Sequence, residues 1–368
     1  MERKIFFGKW ECTCILITLM GTKVVLNYPR INVEIAGTAG WMVGLYSGLL
    51  TLFILFFILK LYAPFKGKDL IEIGELAVGK PGRIFVGLAA VAFLLIIVSF
   101  SLRQFGEQMI TMAFNRSPIS YILIFFMVGT VIATYLGLEA IVRFQAILVP
   151  VSIIAFLIYI IGLAPSYDFS NLFPLLGEGP KALFIGGAPR ISEFSELFVL
   201  FLLAPHLKRF KDFKKAGWMS VVASMFFMIS LTGAYLLVFN YPSTLRSFLP
   251  AYELGRVIKY ARFIEKLESI LVITWATMAY MYLSSGFYLM VSTFASTFNI
   301  QYSKPLIPAF GIIVFTLSLF PKSLLETDII IIHNFRNYSW IVAFGMTILV
   351  LLIARRSLKK TRQCSPKS

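Results

Sequence analysis

Histidine, cysteine and ionised side chains are all scarce in this chain. Its 368 residues include 2 His and 3 Cys, and only 14% are Asp, Glu, Lys or Arg. Cys12, Cys14 and Cys364 are too few for a disulfide framework, and His206 and His333 stand alone, so no metal site is expected. A Ser-His-Asp set, a CxxC or HExxH motif and a glycine-rich phosphate loop are missing too. Neither covalent chemistry nor a cofactor is therefore expected, and the chain does not read as an enzyme. The alternating ten-residue segments of a membrane barrel are also lacking. Arg3, Lys4, Lys9 and Glu11 precede an apolar stretch with no small-residue cleavage pattern after it, so no cleavable leader is expected. The net charge of +16 is spread over short loops and a short tail, which argues against a nucleic-acid surface. It reads instead as a topology signal and as attraction to anionic membrane lipids.

What is abundant is apolar sequence, at 58% of residues. Runs long enough for the roughly 20 helical residues that cross a hydrocarbon core recur along the whole length. They predict an all-α membrane protein of ten transmembrane helices, at about 11–28, 41–63, 84–114, 118–137, 140–163, 181–206, 215–240, 264–298, 305–321 and 338–354. The third and eighth exceed a perpendicular span, which predicts tilt or continuation past the bilayer. A single transmembrane domain takes in residues 1–368 and ends in a basic tail at 355–368. With the N-terminus inside, Lys and Arg concentrate on the inner segments, notably from Lys60 to Lys80, from Lys208 to Lys215 and in the tail. Both termini are thus expected in the cytoplasm. Between the seventh and eighth helices, Leu254, Val257, Ile258 and Ala261 keep helical spacing and predict a short amphipathic helix on the outer surface.

Charge within the apolar runs is rare enough to be informative. Lys23 lies in the first span, where a cation costs about 2.5–3.5 kcal/mol on insertion scales and so faces a partner or a wet cavity. Gly21 precedes it and Asn27 and Pro29 follow, so helical continuity is weakest where the charge is. The sixth span repeats the pattern, with Gly186-Gly187-Ala188-Pro189-Arg190 running into Ser192-Glu193-Phe194-Ser195-Glu196. Dividing ten helices five and five puts an interrupted helix first in each half. This predicts a 5+5 inverted repeat with interrupted helices 1 and 6 and a binding site at the midplane between half-helix ends. Unwound backbone there would give an anionic group amide donors and a helix dipole.

Gly21, Thr22, Lys23, Gly186, Gly187, Glu193 and Glu196 are accordingly the candidate ligand-binding residues. Lys23 has two readings. It is a cation for a ligand carboxylate, or in place of a bound Na⁺ or proton, or else it is salt-bridged to a membrane glutamate such as Glu196 or snorkels to the inner face. Glu193 and Glu196 share a helix face, where either could pair with Lys23 or Arg190 or take a ligand ammonium. Gly186 and Gly187 allow backbone to approach a ligand, or helices to pack closely. Arg103 with Glu107 and Glu139 with Arg143 are i,i+4 pairs that read as structural ion pairs.

Several ordered motifs resemble those of the endospore germination permeases, the B subunits of nutrient germinant receptors, within the amino acid/polyamine/organocation transporter superfamily. These are Pro29-Arg30 with Ala36-Gly37 and Gly40-Trp41, then Gly137-Leu138-Glu139 to Arg143, then Asn171-Leu172 to Gly179-Pro180, and finally Phe263 to Glu268 with Trp275. The resemblance covers nearly the whole chain and implies a permease-like domain in which helices 1, 3, 6 and 8 enclose a small ligand. Thr274 and Thr277 on helix 8 thereby join the candidate ligand-binding residues. It further implies a nutrient ligand, an amino acid first, partner A and C subunits, and residence in the spore inner membrane. The alternative is a proton-coupled amino acid transporter in which Lys23 or Glu196 carries the proton. Two departures stand out: Lys23 takes the place of a glycine common in the family's helix 1 break, and Asn27-Tyr28-Pro29-Arg30 replaces Leu-Pro-Arg.

Overall fold

The structure is a computed structural model that describes residues 5–246, 249–257 and 267–364, with backbone alone for 267–271 and 360–364. Among the described residues it is helical without strands. The first span is α1 (Lys9–Gly21), a tight 3₁₀ segment at Thr22–Val25, and α2 (Tyr28–Ala36). Cys12 to Met20 are buried on every side of α1, which makes it the central helix of the bundle. The break falls where Gly21 withdraws helix propensity and Pro29, in the first turn of α2, cannot donate to the preceding turn. Gly37 then adopts φ +59° to end α2, and the loop from Pro174 to Glu178 closes over it.

The remaining spans are α3 (Gly40–Tyr62), α5 (Lys80–Met112), α6 (Ile119–Leu136), α7 (Leu138–Gly162), the interrupted sixth span, α9 (Phe210–Val238), α11 (Leu267–Thr297), α12 (Leu306–Ser318) and a tenth. In the sixth span a π turn at Ala182–Gly186 leads into a 3₁₀ run at Ala188–Phe198, and α-helix resumes at Val199–Leu202 (α8). Between α3 and α5, α4 (Leu70–Val78) lies against α5, capped by Asp69, whose carboxylate accepts the Glu72 N–H at 2.6 Å. Between α9 and α11, α10 (Pro250–Val257) carries the first part of the expected amphipathic helix, with Leu254 buried. Ile258 to Ile264 lie outside the described residues.

The inverted repeat is visible in which helices touch. α1 packs on the sixth span, α3 on α9, α5 on α11 and α6 on α12, so each of these helices meets its counterpart five places later, as a pseudo-two-fold axis requires. Among the described residues, six helices are long and apolar enough to cross a membrane. Apolar side chains such as Phe125 on α6 and Ile147 and Ile161 on α7 are more than two-thirds exposed, which marks the lipid-facing surface.

The tenth span differs from expectation. The apolar stretch at 338–354 predicts a helix there, but helical geometry begins at Leu324 and continues as α13 (Leu324–Asp328), a π segment at Ile329–Arg336, α14 (Asn337–Trp340), a second π segment at Ile341–Met346 and α15 (Thr347–Cys364). Asp328, His333, Asn334, Arg336 and Asn337 make the first half read as a polar loop. Asp328 and Arg336 are instead buried against partners on other helices.

Candidate functional site

The two breaks face each other, and the charges they carry meet. Lys23 Nζ donates to Glu196 Oε2 at 2.6 Å and lies 3.7 Å from Glu193 Oε2. The other oxygen of Glu196 accepts Arg336 Nη2 at 2.8 Å and the Tyr282 hydroxyl at 3.4 Å. Glu196 has no solvent exposure, and Lys23 and Arg336 are also buried. One carboxylate thus ties helices 1, 8 and 10 to the sixth span. Desolvating such groups is costly, and removing one partner strands a buried charge, at about 3–5 kcal/mol. Arg336 also donates to the Ser192 carbonyl at 3.4 Å, one of the groups that the 3₁₀ run leaves for partners outside the helix.

Toward α2 the cluster is less saturated. Arg190 Nη2 donates to Asn337 Oδ1 at 2.5 Å, while Nη1 is only a loose 3.6 Å from Glu193 Oε1. Arg190 Nε and Nη1, Ser192 Oγ, the Tyr28 hydroxyl and both amide atoms of Asn32 are buried yet make no hydrogen bond among the described residues. The Tyr28 hydroxyl lies against Gly44, with Asn32 and Ser47 as polar neighbours. Buried polar atoms are almost always satisfied, so a cluster of this kind calls for a polar occupant, water or ligand. A third polar group lies nearby, where Asp328 is held by Asn27 Nδ2 and by Gln104 Nε2 at 2.9 Å.

The residues singled out in the sequence fall into separate places. Lys23, Glu193 and Glu196 are brought together. Gly21, Thr22 and Thr274 line an apolar cavity beside the helix 1 break, together with Trp275. Gly186 and Gly187 pack at the N-terminal end of the sixth span: a Cβ on Gly187 would strike the Leu183 carbonyl and Val43, and one on Gly186 would press on Ile35. The Thr277 hydroxyl donates to its own helix, at the Ile273 carbonyl. Arg103 Nη2 reaches Glu107 at 2.7 Å and Arg143 Nη2 reaches Glu139 at 2.5 Å, the latter pair on an exposed surface. Arg336, Asn32 and Asp328 were not apparent as site residues from sequence. No group of His, Cys, Asp and Glu suited to a metal occurs among the described residues.

Two interrupted spans, pseudo-two-fold helix pairing and a charge cluster between the breaks define a multi-pass membrane permease of the 5+5 inverted-repeat transporter fold. Solved structures agree. MhsT in complex with L-phenylalanine superposes with a TM-score of 0.68 at 17% identity, covering 96% of this chain and 89% of that one. Mhp1, a nucleobase-cation-symport-1 family transporter with bromovinylhydantoin bound, gives 0.62 at 12% identity, covering 97% and 94%. By sequence, the chain belongs to the spore permease family, described as spore germination protein, which matches residues 10–327. Similar proteins include the spore germination protein YndE of Bacillus subtilis, 23% identical over 95% of this chain and 96% of that protein. Spore germination protein B2 of the same organism is 22% identical over 96% of each.

Proposed function

We propose that this chain is the membrane subunit of a spore germinant receptor, which binds a small nutrient, an amino acid, between the broken helices 1 and 6 and thereby triggers germination. The observation that carries the reading is the set of buried polar atoms on Arg190, Ser192, Tyr28 and Asn32 that make no hydrogen bond among the described residues, beside the loosely held Glu193. Arg190 Nε and Nη1 and the Tyr28 hydroxyl offer donors for a carboxylate, and Glu193 with Asn32 Oδ1 offers acceptors for an ammonium, a pairing that suits a zwitterion. Lys23, Glu196 and Arg336 close the site from below as a latch. Gly186 and Gly187 pack at the start of the sixth span beside it, while Gly21, Thr22, Thr274 and Thr277 stand outside it.

Ligand binding favours one arrangement of the bundle by its differential affinity for the two, and the latch joining helices 1, 6, 8 and 10 is the element that such a change must rearrange. The signal then passes to A and C partner subunits. The lysine and arginine distribution supports cytoplasmic termini, and the family supports residence in the spore inner membrane. In the transporter reading the same site alternates access to the two sides.

The test is deletion of the gene, with dipicolinate release measured against single amino acids, nucleosides and sugars. Loss of the response to one nutrient class is expected. An unchanged response together with lost uptake of a radiolabelled amino acid would establish the transporter instead.

A further inference from the structure

A cavity of about 290 Å³ lies beside the helix 1 break, away from the charge cluster, between α1, α7, α9 and α11. Gly21 and Thr22 form one wall, and Phe156, Phe227, Trp275 and Met278 form the others. Among the described residues, no Asp, Glu, Lys, Arg or His lines it. The Thr22 hydroxyl is engaged by the Thr18 carbonyl at 2.7 Å, and the Tyr159 hydroxyl by the Ala251 carbonyl. Trp275, by contrast, is 3% exposed and lines the cavity, while among the described residues its Nε1–H has no hydrogen-bond partner and the buried Ser152 Oγ has none either.

Access is from the bilayer. Val151, Ile154 and Ile158 line the cavity and are also more than half exposed on α7, the least buried of the membrane-length helices. The surrounding solvent at this surface is hydrocarbon, so an apolar guest enters without the dehydration barrier a charged one would meet. A dry apolar cavity of about 150 Å³ accommodates benzene, so this volume suits a larger hydrocarbon body.

We propose that this cavity binds a bilayer-soluble, uncharged molecule, largely hydrocarbon and carrying one oxygen acceptor, which enters across α7 and accepts a hydrogen bond from Trp275 Nε1. Its occupant touches Gly21 and Thr22 and so bears on the helix 1 break. The site is independent of the nutrient reading.

The test uses the full-length protein in lipid nanodiscs and a long-chain ketone bearing a diazirine, with crosslinks mapped by mass spectrometry. Saturable labelling is expected within 149–158 and 274–278. Unlabelled ketone should compete about fivefold better than the alkane of equal length, the worth of one hydrogen bond. Trp275→Phe should erase that preference while leaving labelling intact, and Ala155→Trp should block labelling. Mass spectrometry of organic extracts made before the probe is added separates the two supporting cases, a lipid already bound and an amphiphile taken up from outside. Non-saturable labelling, equal to that around Ile147 and Ile161, would reduce the cavity to ordinary lipid-facing surface and overturn the proposal. So would ketone preference surviving Trp275→Phe, or displacement of the probe by an amino acid, which would make the cavity the nutrient site.

Discussion

Glu196 serves two cations with two oxygens, Lys23 on one and Arg336 on the other, and this sharing separates residues that hold the bundle from residues free to bind. Replacing Lys23 or Arg336 by Ala should destabilise the folded protein by about 3–5 kcal/mol, read as earlier thermal unfolding in detergent without any nutrient. Equal stability of Lys23→Ala and wild type would remove the latch. Arg190 should behave differently, because two of its nitrogens lack hydrogen-bond partners. Arg190→Lys keeps the charge but loses the fork, and should raise the half-maximal nutrient concentration about 10- to 100-fold, the range for one or two charge-assisted hydrogen bonds. Lys23, Glu193 and Glu196 were legible in the sequence because a charge within an apolar run is conspicuous. Arg336 and Asp328 were not, because they sit among polar neighbours that lower local hydropathy, and nothing in the sequence says those residues turn inward. Asn32 was hidden for the opposite reason: one neutral amide near a helix end is unremarkable until its burial is known.

At the scale of elements, the two breaks were readable from Gly and Pro placement, whereas the start of the tenth helix was not. Hydropathy averages over a helix, and the π segments at Ile329–Arg336 and Ile341–Met346 have no simple sequence periodicity to betray them. The crossing of α5 and α11 depends on small residues. A Cβ on Gly87 would strike the Thr297 side chain, and one on Gly286 would come within 2.6 Å of Val98. Gly87→Leu should therefore force these helices apart and lower the amount of folded protein in the membrane by overpacking, a cost of about 1–3 kcal/mol. Normal thermal stability of that variant would show that the crossing tolerates separation. A second element-level device lies in α7, where Pro150 cannot donate to the Ala146 carbonyl and the Trp10 indole N–H does so from α1 at 3.3 Å. Trp10→Phe should cost about 0.5–1.5 kcal/mol, again measured by thermal unfolding.

For the whole molecule, the inverted repeat was legible because two helix breaks stood in corresponding places of the two halves, and the observed pairing of α1, α3, α5 and α6 with their later counterparts gives that symmetry its physical form. The sidedness of the bundle leads to a labelling prediction. Cys12 and Cys14 are buried, and the basic tail bearing Cys364 is expected inside. Right-side-out vesicles should thus resist a membrane-impermeant maleimide until permeabilised, and immediate labelling would reverse the orientation. The central claim is that the polar atoms between helices 1 and 6 receive a nutrient. Its most direct measurement is the thermal stability of the purified protein across a panel of amino acids, in wild type and Arg190→Lys. The account predicts that one amino acid raises the unfolding temperature of wild type, by mass action on the folded state, and that a far higher concentration is needed for Arg190→Lys. An equal shift in both proteins at the same concentration would contradict it and place the nutrient elsewhere.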